Sequence, residues 1–231
     1  IPLRLVGSEM CIRDSPYTAF LKLSQLGQDV LPPYRESMVE VAMSPDMESA
    51  YQYLERTLVE ELRRALRAGD KSLMGVVLNA LLAWPECCFR PETVRHPHTK
   101  SVLLSLPALY GNQEMTPKEG ALLERVRREA AHGRRTLVYT TYTGTRDTSA
   151  RLKALLDQAG LRSAVLRSSV CAEKREDWVM EQVDRGIDAL VCNPELVKTG
   201  LDMLEFPTIL FMQTGYNLSL IHISEPTRRR G

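Results

Sequence analysis

Apolar residues recur at helical spacing between Ser44 and Pro85. In the first run, Ser44 can accept hydrogen bonds from free backbone amides, Pro45 suits the first helical position, and the apolar residues share one face as far as Gly69. The second run ends at Pro85, because proline removes a backbone donor. The pattern predicts a helical hairpin over residues 44–86.

A second pattern begins at Thr116, where the sequence Thr116-Pro117-Lys118-Glu119 is typical of a capping box at the start of a helix. Short apolar runs then alternate with helical patterns. Strands are predicted at 136–140, 163–166, 187–192 and 207–212, and helices at 147–159 and 173–184. Strands separated in this way form right-handed crossovers, so the pattern predicts an α/β fold with a parallel sheet that helices cover on both faces.

The segments around these two blocks have no sustained period. Val39 and Val41 alternate with polar neighbours, which predicts a short strand within a connector over residues 16–43. Prolines are frequent in residues 87–115, so we expect a linker there, and it is the segment where disorder is most expected. The only regular feature expected in it is a short apolar turn at 102–106.

The composition is that of a folded globular protein, with 44% hydrophobic and 26% charged residues and a formal net charge of +1. No apolar run is long enough to span a membrane, and the start lacks the pattern of a secretory signal. The five cysteines lack the paired spacing of a disulfide framework, which favours a reducing compartment. We therefore expect a cytoplasmic protein with free thiols.

The two ends of the chain resemble translated sequencing adapter. With suitable codons, residues 5–15 are the complementary-strand translation of residues 218–228. We therefore expect residues 1–15 to be an adapter-derived, disordered tail and residues 218–231 to be a second adapter-derived tail. Excluding them removes the three arginines at 228–230, which could otherwise suggest a basic nucleic-acid patch.

Polar segments follow the predicted parallel strands, at the edge where sheets of this class bind their ligands. The segments are 141–145 after the first strand, 167–169 after the second and 193–202 after the third. Their hydroxyl, guanidinium and aromatic groups can contact phosphates or stack on bases. For the charged residues the alternative is an ordinary solvated surface, and for the aromatic residues it is packing within the core or a cleft.

The order of these segments resembles the second RecA-like lobe of superfamily-two helicases, and most closely that of Swi/Snf-type DNA translocases and their bacterial relatives. Residues 137–140 resemble motif IV, residues 174–178 the basic helix after the second strand, and residues 188–202, with the sequence TGLD at their end, motif V. The resemblance covers most of residues 31–217. Residues 213–217 resemble the approach to motif VI, so the predicted lobe spans 116–217 and ends before that motif.

The resemblance implies a nucleotide contact by Gly200 and Asp202, because glycine allows close approach of the backbone to a phosphate and a carboxylate can accept from a ribose hydroxyl. The nucleic-acid contacts that we expect come from Thr140, Tyr142, Thr143, Arg167, Ser168, Lys174, Lys198 and Thr199. An isolated TGLD sequence could instead be a helix-capping turn.

The chain contains no G-x-x-x-x-G-K-[ST] sequence and no acidic magnesium motif in a suitable setting. ATP and Mg²⁺ are therefore expected in an intact parent protein that has a first RecA-like lobe, and no catalytic residue is expected in this chain. The chain is predicted to contribute nucleic-acid grip and part of the ATP cleft to an ATP-dependent helicase or DNA translocase, and not to be active alone. DNA is the favoured track, with RNA as the alternative. The alternative function is that of a non-hydrolytic parallel-sheet module that binds or regulates a partner.

Two cysteines and two histidines also form a candidate metal site. Cys87, Cys88, His96 and His98 could together supply four zinc ligands. Adjacent cysteines lack the usual gap of a few residues between zinc ligands, however, so we predict an ordinary loop and no metal site.

Overall fold

The computed structural model describes residues 35–111, 114–197 and 203–213. Its helices and strands are α1 (Pro45–Arg67), α2 (Leu73–Cys87), β1 (Glu92–Arg95), β2 (Val102–Leu106), α3 (Pro117–Ala131), β3 (Thr136–Tyr139), α4 (Ser149–Gln158), β4 (Ser163–Leu166), α5 (Arg175–Asp184), β5 (Ala189–Cys192) and β6 (Thr208–Phe211). The fold is α/β, as predicted: a helical hairpin precedes a four-stranded parallel sheet, an arrangement consistent with a RecA-like lobe.

These elements belong to one compact unit, which begins at Val39. Among the helices of the described ranges, none combines the length and the apolar character that a membrane crossing needs.

The helical hairpin forms from the signals that predict it. Ser44 Oγ accepts the backbone N–H of Met47 at 3.3 Å, and acidic residues in the first turn of α1 complement the helix dipole. Leu54 and Leu58 are fully buried in the core that α1 shares with α2. The turn between the helices contains Gly69 at a φ of +81°, a conformation that favours glycine.

Part of the predicted linker is instead an antiparallel β-hairpin. Glu92 lies opposite Leu106 in the β1–β2 pair, and Val94 and Leu104 are buried in the core of the two helices. The linker prediction is therefore wrong for residues 92–106. Its prolines flank the strands or lie in the turn between them, where no ladder hydrogen bond is lost.

Two smaller predictions near the helical hairpin are also wrong. Helix α2 continues through Pro85 to Cys87, although proline cannot donate the backbone hydrogen bond expected at that position. The strand predicted at Val39 and Val41 is absent, since both residues lie exposed in a non-regular segment. We refer to α1, α2, β1 and β2, residues 45–106, as the N-terminal module.

The sheet has the strand order β4–β5–β3–β6, and all of its pairs are parallel. Alternate strand residues enter two cores, as a sheet covered on both faces requires. Val138 and Val191 pack with residues of α3 and α4, whereas Leu137 and Leu190 pack with residues of α5. Helices therefore cover both faces, as predicted.

A buried ion pair connects α3 and α4. The predicted capping box is present, with the Thr116 N–H donating to Glu119 Oε2 at 2.8 Å and the Glu119 N–H donating to Thr116 Oγ1 at 3.2 Å. Arg151 Nε of α4 donates to Glu119 Oε1 at 2.6 Å, and its guanidinium lies 4.4 Å from the ring centre of Phe89, just after α2. The Arg151 side chain is only 9% exposed and that of Glu119 7%, so removing either would leave a buried charge.

We predict that Arg151→Met lowers the free energy of unfolding by about 3 kcal/mol, because Glu119 would then be a buried, uncompensated carboxylate. The matched control is Arg185→Met, which removes an arginine from the exposed pair with Glu181 and should cost less than about 1 kcal/mol. Urea denaturation of the wild type and the two variants measures both. Equal destabilisation by the two substitutions would contradict the structural role given to Arg151.

Candidate nucleic-acid interface

The segments that follow the four parallel strands lie along one edge of the sheet, because the strands are parallel and paired in register. Tyr139 of β3 lies level with Cys192 of β5 and Phe211 of β6, and Leu166 of β4 also lies level with Cys192. We call this the carboxyl edge. Its described residues are 140–148, 167–175, 193–197 and 212–213.

Thr140, the first residue after β3, is fully buried. Its N–H donates to the Cys192 carbonyl at 3.0 Å, and its hydroxyl is hydrogen-bonded to the Thr148 hydroxyl at 2.7 Å. Thr148 in turn donates to the Tyr142 carbonyl from both its N–H and its hydroxyl. Thr140 thus closes the base of the loop over residues 141–148, and the prediction that its side chain contacts nucleic acid is wrong.

The loop after β3 is hydrogen-bonded to the segment after β5. Tyr142 and Thr143 are both partly exposed, and Thr143 Oγ1 accepts from Asn193 Nδ2 at 3.1 Å. The other amide atom of Asn193, Oδ1, accepts from the Glu195 N–H at 2.9 Å. Asn193 was not among the predicted contacts, although its position directly after a parallel strand is a signal that could have identified it.

Gln213 connects the segment after β6 to the same loop. Its Oε1 accepts from the Thr141 N–H at 2.9 Å, and its Nε2 donates to Glu86 Oε2 of α2 at 2.9 Å. Glu86 also forms an ion pair with Lys118 at the start of α3. The sequence analysis missed this role, because nothing local to Gln213 indicates a partner in α2.

The segment after β4 carries exposed polar and basic side chains. Arg167 and Ser168 are exposed, and Arg167 Nη1 donates to Asp147 Oδ2 at 3.0 Å. Burial alone would raise the pKa of Asp147, but hydrogen bonds from Ser149 and Arg167 outweigh it and lower the pKa. The Arg167 side chain remains 48% exposed, so its remaining donors are accessible to a ligand.

Two adjacent basic residues at the start of α5 have different surroundings. Lys174 is exposed, in agreement with a surface contact. Arg175 instead donates to the Val170 carbonyl at 3.2 Å and to the Leu196 carbonyl at 3.0 Å. It therefore joins the segments that follow β4 and β5, which makes it a structural residue of the carboxyl edge.

The remaining predicted contacts lie outside the described residues. These are Lys198 and Thr199, expected at nucleic acid, and Gly200 and Asp202, expected at the nucleotide. In the described part of the same segment, Asn193 caps a single 3₁₀ turn, Pro194–Leu196. The roles of these four residues stay predictions.

The four potential zinc ligands are not brought together as a metal site. Burial raises the pKa of the Cys87 thiol to about 12 and that of Cys88 to about 11, which disfavours the thiolate that zinc requires. His96 Nδ1 accepts the N–H of His98 at 3.2 Å, and its Nε2 lies 3.4 Å from Asp70 Oδ2. In the described parts of the chain, no three Cys, His, Asp or Glu side chains are grouped to hold a metal ion.

Comparison with models of known protein families gives no match, and comparison with characterised proteins gives no significant match.

We predict that the stability contributed by Asp147 depends on pH. Its pKa in the folded chain is lowered below the ordinary value of 3.8, so ionised Asp147 stabilises the fold. That contribution is fully present above the ordinary value and disappears as the pH falls through the lower, folded-state pKa. The gap in unfolding free energy between the wild type and Asp147→Asn should therefore be constant between about pH 7 and pH 5 and should narrow below pH 4.

Urea denaturation at a series of pH values measures this gap. The control is Asp184→Asn, which changes an exposed carboxylate at the end of α5. A gap for Asp147→Asn that stays constant down to about pH 3, or that widens on acidification, would contradict the ion pair and hydrogen bonds assigned to Asp147.

Proposed function

We propose that the chain is the nucleic-acid-gripping second lobe of an ATP-dependent helicase or DNA translocase. One observation carries the proposal. The loops that follow β3, β5 and β6 are hydrogen-bonded to one another through Asn193 and Gln213, and the exposed Arg167 and Lys174 accompany them at the same edge of a parallel sheet. Ligand binding at this edge is the general rule for open parallel sheets.

The exposed groups of the carboxyl edge suit a polyanionic track. Arg167 can donate to phosphate oxygens from the guanidinium nitrogens that Asp147 does not occupy, and Lys174 offers a point charge. Ser168 and Thr143 add hydroxyl groups, which commonly contact the phosphate and sugar backbone. The partly exposed Tyr142 has a ring that can stack on a base.

Hydrolysis of ATP belongs to the intact parent in this proposal. A first RecA-like lobe would supply the phosphate cradle and the magnesium ligands, and Gly200 and Asp202 of this chain would complete the nucleotide site. Residues 198–202 follow β5 along the chain, so one segment would contact both the nucleotide and the nucleic acid. The role proposed for this chain is to bind the nucleic acid.

We predict that the chain binds an oligonucleotide and that Arg167→Gln and Lys174→Gln each weaken binding. Each substitution removes one cation, so the slope of log affinity against log salt should fall by about one for each residue that contacts a phosphate. The measurement is fluorescence anisotropy of a labelled oligodeoxythymidine and of a labelled DNA duplex, repeated over a series of NaCl concentrations. An RNA oligonucleotide of matched length tests the preference for DNA.

Arg185→Gln is the matched control, because it also removes one exposed arginine but lies at the end of α5, beyond the carboxyl edge. Its affinity and salt slope should stay close to those of the wild type. Absence of binding by the wild type, or equal losses in Arg167→Gln and Arg185→Gln, would contradict the proposed interface. The first of these results would favour the alternative of a non-hydrolytic module that binds another kind of partner.

A further inference from the structure

Residues of the N-terminal module form hydrogen bonds and an ion pair with the loop over residues 141–148. Arg146 of the loop donates from Nη2 to Glu92 Oε1 at 2.5 Å and from Nε to Glu92 Oε2 at 3.4 Å. Its third nitrogen, Nη1, donates to Asn79 Oδ1 of α2 at 2.7 Å. Arg90, between α2 and β1, donates to the Thr145 carbonyl. All of these contacts act on the second half of the loop.

The first half of the loop is tied to the same module through Gln213. Thr141 donates its N–H to Gln213 Oε1, and Gln213 Nε2 donates to Glu86 Oε2, each at 2.9 Å. The Glu86 side chain is 11% exposed and that of Glu92 10%, so neither carboxylate is an ordinary surface group. Two nearly buried carboxylates of the module thus restrain the two halves of one loop.

The carboxylates of Glu86 and Glu92 each accept hydrogen bonds from more than one donor nitrogen, which restricts the direction of the contact as well as its length. The Arg146–Glu92 pair uses two guanidinium nitrogens and both carboxylate oxygens, the bidentate arrangement that gives an ion pair its geometric specificity. Glu86 is shared between the ammonium of Lys118 and the amide of Gln213. Such paired contacts restrain the loop to the geometry in which both partners are satisfied.

We propose that the N-terminal module holds the loop over residues 141–148 in the conformation that grips nucleic acid, with Glu86 and Glu92 as positioning residues. This inference rests on the proposed function and adds a regulatory element to it. Thr143 and Tyr142 lie in the restrained loop, and Thr143 is hydrogen-bonded to Asn193, which lies within the segment that resembles motif V. A shift of the module relative to the sheet would therefore change the groups presented to the track.

The sign of one mutational effect separates this proposal from simple electrostatics. Glu92→Gln removes a negative charge beside a polyanion site and releases Arg146, so charge alone predicts equal or tighter binding of nucleic acid. Positioning predicts the opposite, because the loop loses the restraint that orders it. We expect the dissociation constant of Glu92→Gln for the labelled oligonucleotide to rise about three- to ten-fold.

Hydrogen–deuterium exchange of the same proteins reports the loop itself. In Glu92→Gln the peptide over residues 141–148 should exchange faster, whereas the β5 peptide over residues 187–192 should exchange as in the wild type, which shows that the fold is intact. Asn79→Ala is a second, milder variant, since it removes one exposed acceptor of Arg146 and leaves the Glu92 pair. It should change both measurements in the same direction by a smaller factor.

Glu205→Gln is the matched control, because it removes a carboxylate from the exposed pair with Arg135, which precedes β3 at the amino edge of the sheet. It should bind the oligonucleotide at least as tightly as the wild type. Two results would overturn this inference and leave the proposed function standing. In the first, the wild type binds the oligonucleotide and Glu92→Gln binds it equally well or more tightly. In the second, the loop exchanges at the same rate in Glu92→Gln as in the wild type. Absence of wild-type binding overturns the proposed function and with it the role given to the module.

Discussion

The parallel, in-register pairing of β3 with both β5 and β6 is the constraint on which the rest of the structure depends. It places Tyr139, Cys192 and Phe211 at one level, so the chain leaves each of these strands at the same edge of the sheet. The strands themselves are used for packing, since their alternate residues enter cores on opposite faces. The side chains that can contact a ligand therefore lie in the segments beyond the strand ends, and the strand register brings these segments together.

Hydrogen bonds between side chains and backbone then make the carboxyl edge one continuous surface. Asn193 and Gln213 each use an amide to contact the loop after β3, and Thr140 closes the base of that loop from within. The N-terminal module adds restraints from outside through Glu86 and Glu92. The exposed basic groups gain a defined geometry from this framework, which is what recognition of a regular phosphate backbone requires.

Much of the fold could be predicted from local patterns, and most of the site could not. The capping box at Thr116 and the strand Ser163–Leu166 have signals contained within a few residues, and both are confirmed. The contact between Gln213 and Glu86 joins residues 127 positions apart, so no local pattern reveals it. Thr140 was misassigned because a threonine after a strand has the same sequence signal whether its hydroxyl faces solvent or, as here, bonds to Thr148. The assignment of Gly200 and Asp202 to the nucleotide stays a prediction.

The central claim is that nucleic acid binds along the carboxyl edge, and the most direct measurement is the pattern of amide chemical-shift changes when a DNA oligonucleotide is titrated into ¹⁵N-labelled chain. The account predicts changes concentrated in the segments after β3, β4 and β5, above all at residues 141–148 and 167–174. It predicts little change at the amino edge, at residues 132–135 and 185–188. Changes concentrated at the amino edge, or saturable binding with no change at the carboxyl edge, would contradict it.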